Sequence, residues 1–122
     1  MNRFEFLEIY IPKNEEDWYM FKVNNNRIYS FRLGGIKEEM ENEIDYNKYN
    51  LESKVGYTGI LIEKILTDDE CVYLILENGN VIVSGWVSID NEGLPSLGLR
   101  YKKCSDFESD FFLDEEFKEI AY

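Results

Sequence analysis

Residues 57–90, YTGILIEKILTDDECVYLILENGNVIVSGWVSID, constrain the chain more than any other stretch. They predict three consecutive antiparallel strands. Asn78-Gly79 lies between two apolar runs and offers two residues that accept the left-handed backbone of a type I′ hairpin turn. A two-residue loop there sets Glu77 opposite Asn80, Leu76 opposite Val81, Leu74 opposite Val83 and Val72 opposite Gly85. Cys71, Tyr73 and Ile75 then share the other side of the ribbon with Trp86, Ser84 and Ile82. A one-residue slip would exchange these sets, so the alternation is expected to hold the register.

The rest of the chain extends this β-rich pattern. RFEFLEIYI (residues 3–11) alternates imperfectly and stops at Pro12, which suits an edge strand because proline cannot donate to a ladder. Residues 18–23 and 27–33 predict a second hairpin around Asn24-Asn25-Asn26, since asparagine tolerates positive φ. A three-residue loop puts Phe21 opposite Tyr29 and Tyr19 opposite Phe31, aromatic pairs that add roughly 0.2–1 kcal/mol each. After Gly34-Gly35, the spacing of Ile36, Met40 and Ile44 predicts a short acidic helix with one apolar stripe. Residues 45–56 read as a connecting loop. NEGLPSLG (residues 91–98) leads into a strand over 99–103. Ser105 and Glu108 have capping-box spacing, and a second short helix is expected over 114–121, with its acids in the first turn. The expectation is a single α+β domain over residues 1–122, built on an antiparallel, β-dominated sheet of about seven strands with two short helices.

Composition narrows the function. The 122 residues are 44% hydrophobic and 16% aromatic, which supports a packed core, yet the net charge is −12. Residues 1–61 hold 8 Lys/Arg against 11 Asp/Glu (−3), and residues 62–122 hold 5 against 14 (−9). A field of that sign disfavours nucleic acid and anionic lipid and favours a basic partner. No apolar run approaches the ~20 residues a membrane helix requires. The N-terminus lacks the basic-then-apolar pattern of a secretory signal, and Cys71 and Cys104 form no CxxC motif. A cytoplasmic protein with reduced thiols is expected.

No catalytic constellation emerges. The chain has no histidine, which removes the commonest general base and transition-metal ligand together. Asp68-Asp69-Glu70 reads as a solvated hairpin tip. Asp106, Glu108 and Asp110 imitate the opening of a calcium loop, but Phe111 stands where that loop needs glycine and Phe117 where it needs glutamate. Cys71 lies in a strand pattern as a small buried hydrophobe. No glycine pattern matches a phosphate-binding loop. No catalytic residue, metal or cofactor is therefore expected. The sheet face bearing Trp86, Tyr73, Ile75 and Ile82 reads either as a second core layer under the tail aromatics or as an aromatic contact patch.

In size, in its acidic tail SDFESDFFLDEEFKEIAY and in its LILENGNVIVSGW meander, the chain resembles bacterial immunity proteins of contact-dependent or polymorphic toxin systems. That resemblance implies stoichiometric neutralisation of a cognate toxin domain, often a basic nuclease. The partner-binding residues it singles out are Asp106, Glu108, Asp110, Asp114, Glu115 and Glu116, with Trp86 and Tyr73 as apolar anchors. A small-molecule-binding or enzymatic β-domain with an aromatic-lined cavity is the alternative. A phage-encoded or structural accessory protein is a third.

Overall fold

The computed structural model describes residues 5–14, 17–52, 56–68, 70–89, 91–93, 95–108, 111 and 118–120, without the side chains of 25, 86–89, 95–97 and 118–120. The described residues form two five-stranded antiparallel sheets. The first contains β1 (Phe6–Pro12), β2 (Tyr19–Val23), β3 (Ile28–Arg32), β4 (Gly35–Glu39) and β5 (Tyr49–Glu52), in the order β4-β3-β2-β1-β5. The second contains β6 (Ile62–Thr67), β7 (Val72–Leu76), β8 (Asn80–Ile89), β9 (Pro95–Lys103) and β10 (Lys118–Ile120), in the order β10-β6-β7-β8-β9. Helical geometry among the described residues is confined to short 3-10 turns, and none of it is long and apolar enough to cross a membrane.

The expected helices are therefore corrected. Ile36 lies in β4, paired with Phe31 and packed on the core, while Met40 is 63% exposed. An isolated nine-residue helix is marginal in water. The turn after β3 brings the same residues back along an open edge, where they satisfy its ladder. Of the expected helix over 114–121, only 118–120 lie within the described residues, and they form β10 against β6. Ser105 and Glu108 open no helix either. The turn at Cys104–Asp106 is closed by the Lys103 N–H donating to Asp106 Oδ2 at 2.8 Å. β1 is not an edge strand, since β2 and β5 flank it, and the expected loop after residue 45 contains β5.

The hairpin between β2 and β3 has the expected register, with Tyr19 opposite Phe31 and Phe21 opposite Tyr29. Their ring centroids lie 5.9 and 5.3 Å apart, and Asn26 takes the positive φ of 61°. The β7–β8 hairpin differs by one residue: Leu74 faces Ile82, Tyr73 faces Val83 and Val72 faces Ser84. Its loop has three residues rather than two. The Gly79 N–H donates to the Leu76 carbonyl, and Gly79 alone is left-handed, at φ 87°. Asn78 contributes its side chain instead, accepting from the Asn80 N–H and donating to the Gly56 carbonyl, both at 3.0 Å. Apolar residues occupy both faces of this ribbon, so burial does not oppose the shift and the turn decides the register.

Both faces of the second sheet are consequently covered. Between the sheets, Phe6, Ile9, Phe21 and Phe31 meet Ile62, Ile65, Leu74 and Ile82. Each such side chain contributes about 1.5–3 kcal/mol on burial, which makes this layer the main source of stability. On the opposite face, Leu66, Tyr73, Ile75, Val81 and Val83 form a second cluster covered by Phe107 and Phe111. The two sheets also share hydrogen bonds at one corner, where the Phe6 N–H donates to Ile60 and the Gly59 N–H to Phe6.

Candidate functional site

The residues singled out from sequence do not converge on one described surface. Asp106 and Glu108 are exposed, although one Asp106 carboxylate oxygen is engaged in the turn it closes. Trp86 lies in β8 with its backbone opposite Gly98. Asp110, Asp114, Glu115 and Glu116 lie outside the described residues. Tyr73 is 2% exposed, with its ring 6.3 Å from Phe107 and 5.9 Å from Phe111. It forms part of the covered layer and offers no surface to a partner in this arrangement. Burial foremost, then the neighbouring Cys71, pushes its phenol far above the ordinary value.

The other sequence candidates keep local roles. Asp68 Oδ1 accepts from the backbone N–H of Glu70 at 2.8 Å and of Cys71 at 2.7 Å, which fixes the β6–β7 turn. Burial raises the Cys71 thiol, against a lowering hydrogen bond to Tyr73, which leaves little thiolate to act as a nucleophile. Among the described residues, no three His, Cys, Asp or Glu side chains are grouped to hold a metal ion.

A different surface combines shape and charge. The side chains of the first sheet that point away from the core form a cross-strand row, Lys37, Ser30, Met20, Tyr10 and Leu51, set by the registers of five strands. The segment leading into β5 lies over part of this face. It is held there by the Lys13 N–H donating to the Lys48 carbonyl at 2.9 Å and by Tyr46 against Tyr10, with centroids 5.5 Å apart. An open cleft of about 230 Å³ remains. Met20 and Ser30 line it together with Trp18, Tyr49 and Ile44, and its charged lining is Asp17, Glu39, Glu43, Asp45, Lys37 and Lys48.

The cleft is ordered by short contacts. Ser30 Oγ, almost fully buried, donates to Glu39 Oε1 at 2.7 Å. The same oxygen lies 3.5 Å from Lys37 Nζ, which sits 5.1 Å from the centroid of the Trp18 ring. Trp18 reaches this position because Gly35 has no side chain. A β-carbon there would lie 3.0 Å from the indole. The Tyr49 phenol is raised by burial first and then by Asp17, Glu39 and Asp45, so the negative potential of three acids is felt inside the cleft. Chemically, the site can hold a positive group between an indole face and oriented carboxylates.

Reading the sequence missed this site because residues 36–44 had been given helical periodicity. The signal that was present is the alternation of Ile36 and Glu38 with Lys37 and Glu39, directly after a glycine pair. Comparison with models of known protein families, with characterised proteins and with solved structures returns no match.

Proposed function

We propose that the chain is a non-enzymatic acidic binding protein that neutralises a basic protein, a toxin domain of nuclease type, by stoichiometric binding. The observation that carries this reading is the charge, −12 in 122 residues. Acids stand exposed on the tail at Asp106 and Glu108 and on the first sheet at Glu43 and Asp45. Fields of this strength raise association rates to ~10⁸–10⁹ M⁻¹s⁻¹ with a complementary partner at low salt and repel polyanions. The six tail acids and the acids of the cleft are the candidate contacts. Trp86 remains a candidate anchor, whereas Tyr73 would serve only if the tail lifted.

A second reading, a small-ligand-binding β-domain, is favoured by one observation, the cleft lined by Trp18 and Tyr49. Its volume of about 230 Å³ falls below the ~300–1,000 Å³ usual for drug-sized ligands. That favours a single side chain over a whole ligand.

The test is capture with the tagged chain from its native host, followed by reconstitution from purified components. The expected result is a basic protein whose toxic activity is abolished at one-to-one stoichiometry. A captured partner that is neutral or acidic, or one still fully active when saturated, overturns the proposal.

A further inference from the structure

We infer that the cleft on the outer face of the first sheet seats one arginine side chain of the basic partner. The inference rests on the binding function proposed above and assigns it a place that the acidic tail does not provide.

Four observations point to a guanidinium. The cleft carries four carboxylates, Asp17, Glu39, Glu43 and Asp45, against two lysines, a formal excess of negative charge. Its acids do not group as metal ligands, so they suit a cation with spread charge better than a point ion. A positive group already rests between the Trp18 ring and Glu39, namely the ammonium of Lys37, at 5.1 and 3.5 Å. That shows an intramolecular occupant in the geometry a guanidinium uses when it stacks on an indole and bonds a carboxylate. Finally, Ser30 turns Glu39 into position before anything arrives, which lowers the ordering cost of binding.

Lys37 is a replaceable occupant. Its side chain is 62% exposed, and an ion pair in that setting contributes little to stability. A partner's arginine offers a planar fork in place of one rotating ammonium and can form two parallel bonds where Lys37 makes one. The rest of the contact has apolar surface beside it, because Tyr46 and Leu51 are exposed on the same face as Tyr10.

The test uses the full chain and a defined probe, the blocked tripeptide acetyl-Gly-Arg-Gly-amide, titrated by two-dimensional NMR. Its citrulline counterpart, neutral and of nearly the same shape, and free arginine amide are the controls. The expected result is a saturable shift of the Trp18 indole N–H and of the amides of residues 37–45. The citrulline peptide should bind about tenfold more weakly or not at all. Glu39→Gln should weaken binding by about tenfold, while Lys37→Ala should strengthen it at least about twofold by removing the resident cation. Native-like amide spectra of both variants serve as the fold control. No saturable shift at Trp18, equal binding of the citrulline peptide, or loss of affinity in Lys37→Ala overturns the inference. Tighter binding of free arginine amide than of the peptide would overturn the protein-side-chain assignment in favour of a small cationic ligand. Should a captured basic partner bind the Glu39→Gln variant with unchanged affinity, this inference fails while the proposed function stands. If no basic partner exists, the proposed function fails, and the peptide result reports on the cleft alone.

Discussion

The carbonyl oxygen of Glu70 occupies the space that a β-carbon on Gly85 would need. Gly85 sits at the irregularity in β8 between Ser84 and Trp86, with φ of 95°, and this close approach holds the β6–β7 turn against the neighbouring strand. Gly79 has a similar φ, 87°, but nothing lies within 4 Å of its missing β-carbon. The two glycines share a conformation and differ in surroundings.

That difference predicts two distinct costs. Gly79→Ala should destabilise by about 1 kcal/mol, the cost of a left-handed alanine. Gly85→Ala adds a backbone collision and should cost about 3 kcal/mol or more. Denaturant midpoints of the two variants check this. Equal losses would mean that the approach of Glu70 to Gly85 is wrong.

The Phe107–Phe111 pair, with centroids 4.9 Å apart, roofs the second cluster. Both are half-buried, so Phe107→Ala and Phe111→Ala should each cost about 1–2 kcal/mol. Because they touch each other and Tyr73, the double variant should cost measurably less or more than the sum. Stronger binding of a hydrophobic dye is expected as the Tyr73 face opens. Two near-zero losses would show that the tail does not cover the sheet.

Stability should fall on the alkaline side. Tyr10, Tyr46, Tyr49, Tyr73 and Tyr101 all have phenols raised from 10.0, with burial as the largest cause in each. The folded state therefore holds these protons more tightly than the unfolded chain does. Their contribution is complete below pH 10 and is lost as pH rises through the higher folded values. Melting temperatures measured across pH 8–12 should drop above about pH 10. A flat profile there would contradict the burial of these hydroxyls.

The parts of the fold legible in sequence are those where one face alone is apolar or where a loop has a single solution. Asn24-Asn25-Asn26 fixes the aromatic pairing of Phe21 with Tyr29, and the covered layer over Tyr73 follows from phenylalanines spaced through an acidic tail. The β7–β8 register was legible only to within one residue, because both faces of that ribbon are buried and Asn78 uses its amide rather than its backbone. The segment from Gly35 to Glu39 carries a helical spacing that pairing with β3 overrides. β5 has four residues and no alternation, so only its partner β1 identifies it. The cleft was hidden for a related reason. Ser30, Glu39, Trp18 and Tyr49 come together only through the strand order β4-β3-β2-β1-β5, and no local pattern contains it.

The most direct test of an acidic surface built for a basic protein is the association rate of chain and isolated partner as a function of salt. Between ~50 mM and ~500 mM the screening length shortens from ~14 to ~4 Å, so charge-steered association slows steeply. The wild type is predicted to lose at least about tenfold in rate over this range. A variant with Asp17, Glu39, Glu43 and Asp45 neutralised to Asn or Gln should lose much less and start slower. A rate that is flat in salt for the wild type, with the partner bound and the fold intact, would contradict the account.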